Sequence, residues 1–125
     1  MKNRPDEYSP LVLAYIGDAV YELYTREMLV SRGNMPVDRL HKEATGYVRA
    51  SAQSESFKEI ESVLTEKEIE IFKRGRNTKS TVPKNADMSD YRTATGLEAL
   101  IGYIYLTGDK NRLDEIMSLI LNRRE

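Results

Sequence analysis

Leu13-Ala14-Tyr15-Ile16-Gly17-Asp18-Ala19-Val20-Tyr21-Glu22 belongs to the most apolar part of the chain, yet a glycine and an aspartate stand side by side in its middle. Working outward, Ser9 is an expected N-cap, with Pro10 at the first helical position. Gly33 and Asn34 are expected terminators, so the spacing predicts a helix from Ser9 or Pro10 to about Ser31. Val12, Ile16, Ala19, Val20 and Leu23 make its expected buried stripe, and Leu13, Tyr15, Tyr24 and Met28 widen the apolar surface. A helix this apolar has to be covered on more than one side, either centrally or at a subunit interface. An aspartate inside it is unfavourable, and Gly17 adds about 1 kcal/mol of helix penalty relative to alanine. Such a glycine permits close approach of another backbone or of a ligand. Glu22 lies one turn beyond Asp18 on the same face.

A second acid has the same character. Glu98 sits within Gly96-Leu97-Glu98-Ala99-Leu100-Ile101-Gly102, and the small residues Ala94 and Gly102 lie one turn to either side. If the two helices pack together, Asp18 and Glu98 face one another. Without a cation such a pair repels, and one member stays protonated. Oxygen ligands, together with the absence of cysteine and a single histidine, suit Mg²⁺ or Mn²⁺ rather than zinc. Read alone, each acid is equally a side chain on a solvated face or a structural salt-bridge partner.

The other segments are helical too. Pro36 starts a second helix, expected from Val37 to Thr45 with Leu40 inward, and a third is expected from about Tyr47 to Val63. Thr65 and Glu68 form a capping box for a fourth, which carries Ile69, Ile71 and Phe72 and is expected to end near Arg74 and Gly75. Another runs from about Ser89 to Leu106, stopped by Gly108, with Leu97, Leu100, Ile101 and Ile104 inward. The last, from about Arg112 to Asn122, buries Leu113, Ile116, Met117 and Ile120. The expected fold class is all-α, in a single domain spanning residues 1–125.

Composition excludes several functions. The absence of cysteine removes disulfide scaffolds, thiolate zinc sites and thiol nucleophiles, and suits a reducing cytoplasm. The start, MKNRPDEYSP, lacks the apolar run of a signal peptide, and no stretch approaches a membrane span, so no membrane partner is expected. With 19 basic and 20 acidic residues the net charge is −1, so any nucleic-acid role must rest on where the charges sit. They gather in residues 73–84, KRGRNTKSTVPK, which hold Lys73, Arg74, Arg76, Lys79 and Lys84 without an acid. This segment, expected as a loop, is suited to phosphates and 2′-hydroxyls; a solvated surface loop is the competing reading.

The Leu13–Glu22 segment resembles the first motif of ribonuclease III catalytic domains, LEFLGDAVLE. The segment from Gly96 to Leu106, GLEALIGYIYL, resembles their second, FEALIGAIYL. The basic RGRNTKS, the downstream PKNAD and the short length are similar to the mini-ribonuclease III type. The resemblance covers about Leu11 to Leu106. It implies a homodimer joined along the first-motif helix, with a valley for double-stranded RNA, and no separate RNA-binding domain. It implies that Asp18 and Glu98 bind catalytic Mg²⁺, with Mn²⁺ as a substitute, and that water attacks the phosphodiester in line, leaving 5′-phosphate ends and short 3′ overhangs. Two further acids of the family pattern fall on Ala14 and Thr95, a reduction that the mini type resembles, and the number of metals bound tightly is left open. Glu22 and Asp90 are candidate outer acids. Lys73, Arg74, Arg76, Asn77, Lys79, Lys84 and Asp87 are the candidate RNA contacts. The implied substrate is the large-subunit ribosomal RNA precursor in the cytoplasm, and the sequence leaves open whether a ribosomal protein assists. The alternatives are a non-catalytic, ribosome-associated RNA-binding module on the same fold, or a helical protein-interaction module.

Overall fold

In a computed structural model, which describes residues 1–122, the Ser9 hydroxyl accepts the Val12 N–H and opens a helix, α1, over Pro10–Ser31. Five more follow: α2 (Val37–Val48), α3 (Ala50–Ile60), α4 (Glu66–Asn77), α5 (Met88–Thr107) and α6 (Lys110–Asn122). Two short 3₁₀ turns, Pro5–Glu7 and Glu61–Val63, complete the regular structure, and the described residues contain no strand. The all-α expectation holds. Thr65 and Glu68 form the reciprocal cap of α4. Gly108, left-handed at φ 80°, ends α5. No helix among the described residues is long and apolar enough to cross a membrane.

α5 is the central element, packed against α1, α4 and α3. Leu97, Leu100, Ile101 and Ile104 bring its buried face to Leu113, Ile116, Met117 and Ile120 of α6 and to Val20 and Tyr21 of α1. α1 and α5 meet through their backbones. A Cβ built on Gly17 falls 1.7 Å from the Glu98 carbonyl oxygen, and one on Gly102 falls 2.0 Å from that of Leu13. Only glycine fits such a crossing, as expected for close approach to another backbone. α4 enters from the other side, where the Phe72 ring stacks on Phe57 at 3.7 Å between centroids and presses against Gly96.

Three expectations need correction. The buried face of α1 consists of Leu13, Ala14, Gly17, Val20, Tyr21, Thr25 and Leu29; of the expected stripe only Val20 is buried. Val12, Ala19 and Leu23 are exposed and Ile16 half-buried, with Leu23 at 61 % exposure. The reason is the glycine crossing, which turns the small residues of α1 inward, whereas a count of large apolar side chains favours the opposite face. Next, the expected helix Tyr47–Val63 is divided: α2 continues to Val48, Arg49 is extended, and α3 begins at Ala50. The Gln53 side chain donates to the Val48 carbonyl at 2.9 Å and satisfies that helix end. Last, α4 runs on to Asn77, so Lys73, Arg74, Arg76 and Asn77 stand on a helix and the irregular segment starts at Thr78. Arginines in a last turn offset the helix dipole, which a loop reading of a basic run overlooks.

Candidate active site

The glycine crossing sets the site. Because the α1 backbone lies on that of α5 at Gly17, the next residue, Asp18, is carried to the side chain of Glu98, and the two carboxyl groups come within hydrogen-bonding reach. Asp18 is exposed and Glu98 half-buried. Burial, then the hydrogen bond to Asp18 and its negative charge, push the Glu98 carboxyl up to about 8; the Gln53 amide works in the opposite direction. Glu98 thus holds its proton near neutral pH, a state that a cation would relieve.

Among the described residues no group of three or more His, Cys, Asp or Glu is placed to hold a metal ion. The two carboxyl groups would therefore offer a metal a short, oxygen-only donor set, with its remaining positions open to water. That set fits Mg²⁺ or Mn²⁺, which keep several waters, and does not fit a closed structural zinc site. Ala14 and Thr95 are both buried. Ala14 packs with Leu13, Ile71 and Ala99, and the Thr95 hydroxyl donates to the Tyr91 carbonyl at 3.0 Å. Glu22 pairs with Arg26 at 2.7 Å.

The remaining sequence candidates lie on α4, the following segment and the start of α5. Lys73, Lys79 and Lys84 are exposed. Arg76 is half-buried, with its guanidinium 5.6 Å from the Phe72 ring centroid and its Nε donating to Asn77 Oδ1 at 3.2 Å. Arg74 donates to the Asp6 backbone carbonyl at 3.2 Å, while Lys67 holds the Asp6 carboxylate at 3.1 Å, so Arg74 helps to fix the N-terminal turn. Asp87 is the N-cap of α5, its Oδ1 accepting the Asp90 N–H at 2.9 Å.

Gln53, which is not among the residues expected from the sequence, is 2 % exposed and donates to Glu98 Oε2 at 3.3 Å. A signal was available: Gln53, Ser56, Phe57 and Ile60 recur at helical spacing and all are buried, so a glutamine stands on an inward face.

The ribonuclease III domain family model matches residues 11–109. The chain is 52 % identical to a mini-ribonuclease 3 of Clostridium tetani, over 95 % of this chain and 80 % of that one. It is 55 % identical to a mini-ribonuclease 3 of a Thermoanaerobacter species, over 89 % of this chain and 79 % of the relative. A crystal structure of a Fusobacterium nucleatum protein superposes with a TM-score of 0.86 at 34 % identity, covering 95 % of this chain and 96 % of that one. With both motif segments lying within the matched region and the all-helical arrangement shared, the chain belongs to the ribonuclease III family of endoribonucleases, in its mini-ribonuclease 3 branch.

Proposed function

We propose that this chain is a Mg²⁺-dependent endoribonuclease that cuts double-stranded RNA as a homodimer, with Asp18 and Glu98 as its metal-binding and catalytic residues. The proximity of those two carboxyl groups, with Glu98 pushed up to about 8, is the observation that carries the reading. When bound, the cation supplies charge neutralisation at the scissile phosphate and activation of the attacking water. Asp18, on the exposed side of the pair, would hold the ion from the solvent side. Glu98 sits deeper and would hold it as the carboxylate, with its charge in partial shelter from solvent.

The same reading assigns the duplex grip to Lys73, Arg76, Asn77, Lys79 and Lys84, with Arg74 and Asp87 shaping the two ends of the intervening segment. A-form RNA offers phosphates and 2′-hydroxyls over a shallow minor groove, so recognition is chiefly of shape. Glu22 and Asp90 serve as outer acids. The exposed apolar residues Val12, Tyr15 and Leu23 recur along one side of α1 and support a subunit interface there. One active site per subunit would then cut each strand and leave 5′-phosphates and short 3′ overhangs. The proposed substrate is the large-subunit ribosomal RNA precursor in the cytoplasm, handled by a single ribonuclease III-like domain over residues 1–125.

A non-catalytic RNA-binding module is the second reading, favoured by the burial of Ala14 and Thr95 in packing where the family pattern has acids. Asp18→Asn separates the two readings. In the nuclease it abolishes cutting while duplex binding, followed by filter retention, remains. Cutting that survives the substitution would remove Asp18 from the site.

A further inference from the structure

Gln53 is a polar side chain in an apolar position. Both hydrogens of its Nε2 are engaged, one by the Val48 carbonyl at 2.9 Å and one by Glu98 Oε2 at 3.3 Å. Its Oε1 is buried without a hydrogen-bond partner. Turning the amide over would set Oε1 against the Val48 carbonyl, acceptor against acceptor. Val48 therefore fixes the amide orientation and directs the second N–H at Glu98. The anchor is itself firm: Val48 is the last residue of α2, Arg49 is extended at φ −66° and ψ 155°, and the Gln53 backbone N–H donates to the Arg49 carbonyl at 3.0 Å.

Securing the Val48 carbonyl takes only one of the two amide hydrogens and leaves Oε1 orphaned, so the helix end alone does not explain the second N–H directed at Glu98. We propose that Gln53 is a positioning residue: held on the Val48 carbonyl, its amide fixes Glu98 Oε2 in the orientation in which Glu98 and Asp18 receive the divalent cation. This rests on the metal reading of that pair. Groups that orient a metal-binding side chain commonly govern affinity about as strongly as outer-sphere partners do elsewhere, by roughly 10–100-fold on removal.

The test is Mn²⁺ binding to the full chain without RNA, followed by electron paramagnetic resonance, for the wild type, Gln53→Met and Gln53→Asn. Methionine keeps the volume and removes the N–H groups; asparagine keeps the amide but is too short to span Val48 and Glu98 together. The expected result is Mn²⁺ affinity weakened about 10-fold or more in both. Duplex-RNA affinity measured in Ca²⁺ should stay unchanged; the melting temperature of metal-free Gln53→Met should fall as the Val48 carbonyl loses its donor, so Mn²⁺ affinity is compared at a temperature at which every variant is folded. Cleavage should fall most at low Mn²⁺ and recover as Mn²⁺ is raised, a response that a mere packing defect does not produce. Wild-type Mn²⁺ affinity in either folded variant overturns the proposal and leaves the metal reading standing. A wild-type protein that binds no Mn²⁺ overturns both.

Discussion

The carbonyl oxygen of Glu98 occupies the space in which a side chain on residue 17 would begin, 1.7 Å from the Cβ that Gly17 lacks. One backbone contact thus performs two tasks. It lets α1 lie on α5, and it delivers Asp18, the next residue, to the Glu98 carboxyl. The helix penalty of Gly17, about 1 kcal/mol, is offset by the packing it permits.

Gly17→Ala should therefore damage fold and site together. An added methyl cannot be absorbed by a flexible side chain, because the atoms it meets are backbone. We expect a loss of about 3 kcal/mol in urea unfolding. Cleavage under conditions that keep the variant folded should drop at least tenfold as Asp18 draws away from Glu98. Wild-type stability would contradict the observed crossing.

Arg112→Ala should be destabilising through a different contact. Arg112 grips the Glu68 carboxylate with Nε at 2.9 Å and Nη2 at 2.6 Å, and Glu68 also accepts the Thr65 N–H as the α4 cap. Burial pushes the Glu68 carboxyl up, but the Arg112 hydrogen bonds and the Thr65 cap outweigh it and hold the group below its usual range. Removing the arginine leaves a buried carboxylate and should cost about 3 kcal/mol. Because the folded-state pKa is lowered, the pair's contribution is present above the ordinary carboxylate pKa and lost as pH falls through the lowered one. The difference in urea midpoint between wild type and variant should shrink in acid.

Glu98 has the opposite sign. Its folded-state pKa is raised to about 8, so the folded protein holds a proton that the unfolded chain releases near the ordinary carboxylate value. Stability of the metal-free protein should accordingly fall as pH rises between about 5 and 8. Melting temperatures across that range should slope downward for the wild type in EDTA, less so for Asp18→Asn, and less with saturating Mg²⁺. An equal slope for all three would detach Glu98 from Asp18 and from the metal.

Leu23→Asp should leave the helical fold intact, because Leu23 is 61 % exposed in the single chain. A charge there would instead break the proposed subunit contact. Analytical ultracentrifugation should show a folded monomer with strongly reduced double-strand cutting. A dimer that persists would place the interface elsewhere.

Much of the fold was legible because its signals are local. Ser9 before Pro10, the Thr65–Glu68 box and Gly108 each mark a helix end within one turn. The two misplaced acids were legible for the same reason, since Asp18 and Glu98 contradict their apolar surroundings. What could not be read depends on contacts far apart in the chain. The inward face of α1 is set by a glycine crossing with α5, so the large side chains at Val12 and Leu23 turned out to be exposed. The break at Arg49 lacks glycine or proline and is secured by Gln53, which reaches a glutamate 45 positions away. Lys73, Arg74 and Arg76 read as loop because charge conceals helical spacing where apolar residues are few.

The most direct measurement is cleavage of a long, perfectly paired RNA by the purified chain, with Mg²⁺ or with EDTA, beside an Asp18→Asn control. The expected result is cutting in Mg²⁺ only, absent from the control, with 5′-phosphate product ends. Duplex binding without cutting by the intact chain in Mg²⁺, or cutting that continues in the control, would contradict a metal-dependent nuclease centred on Asp18 and Glu98.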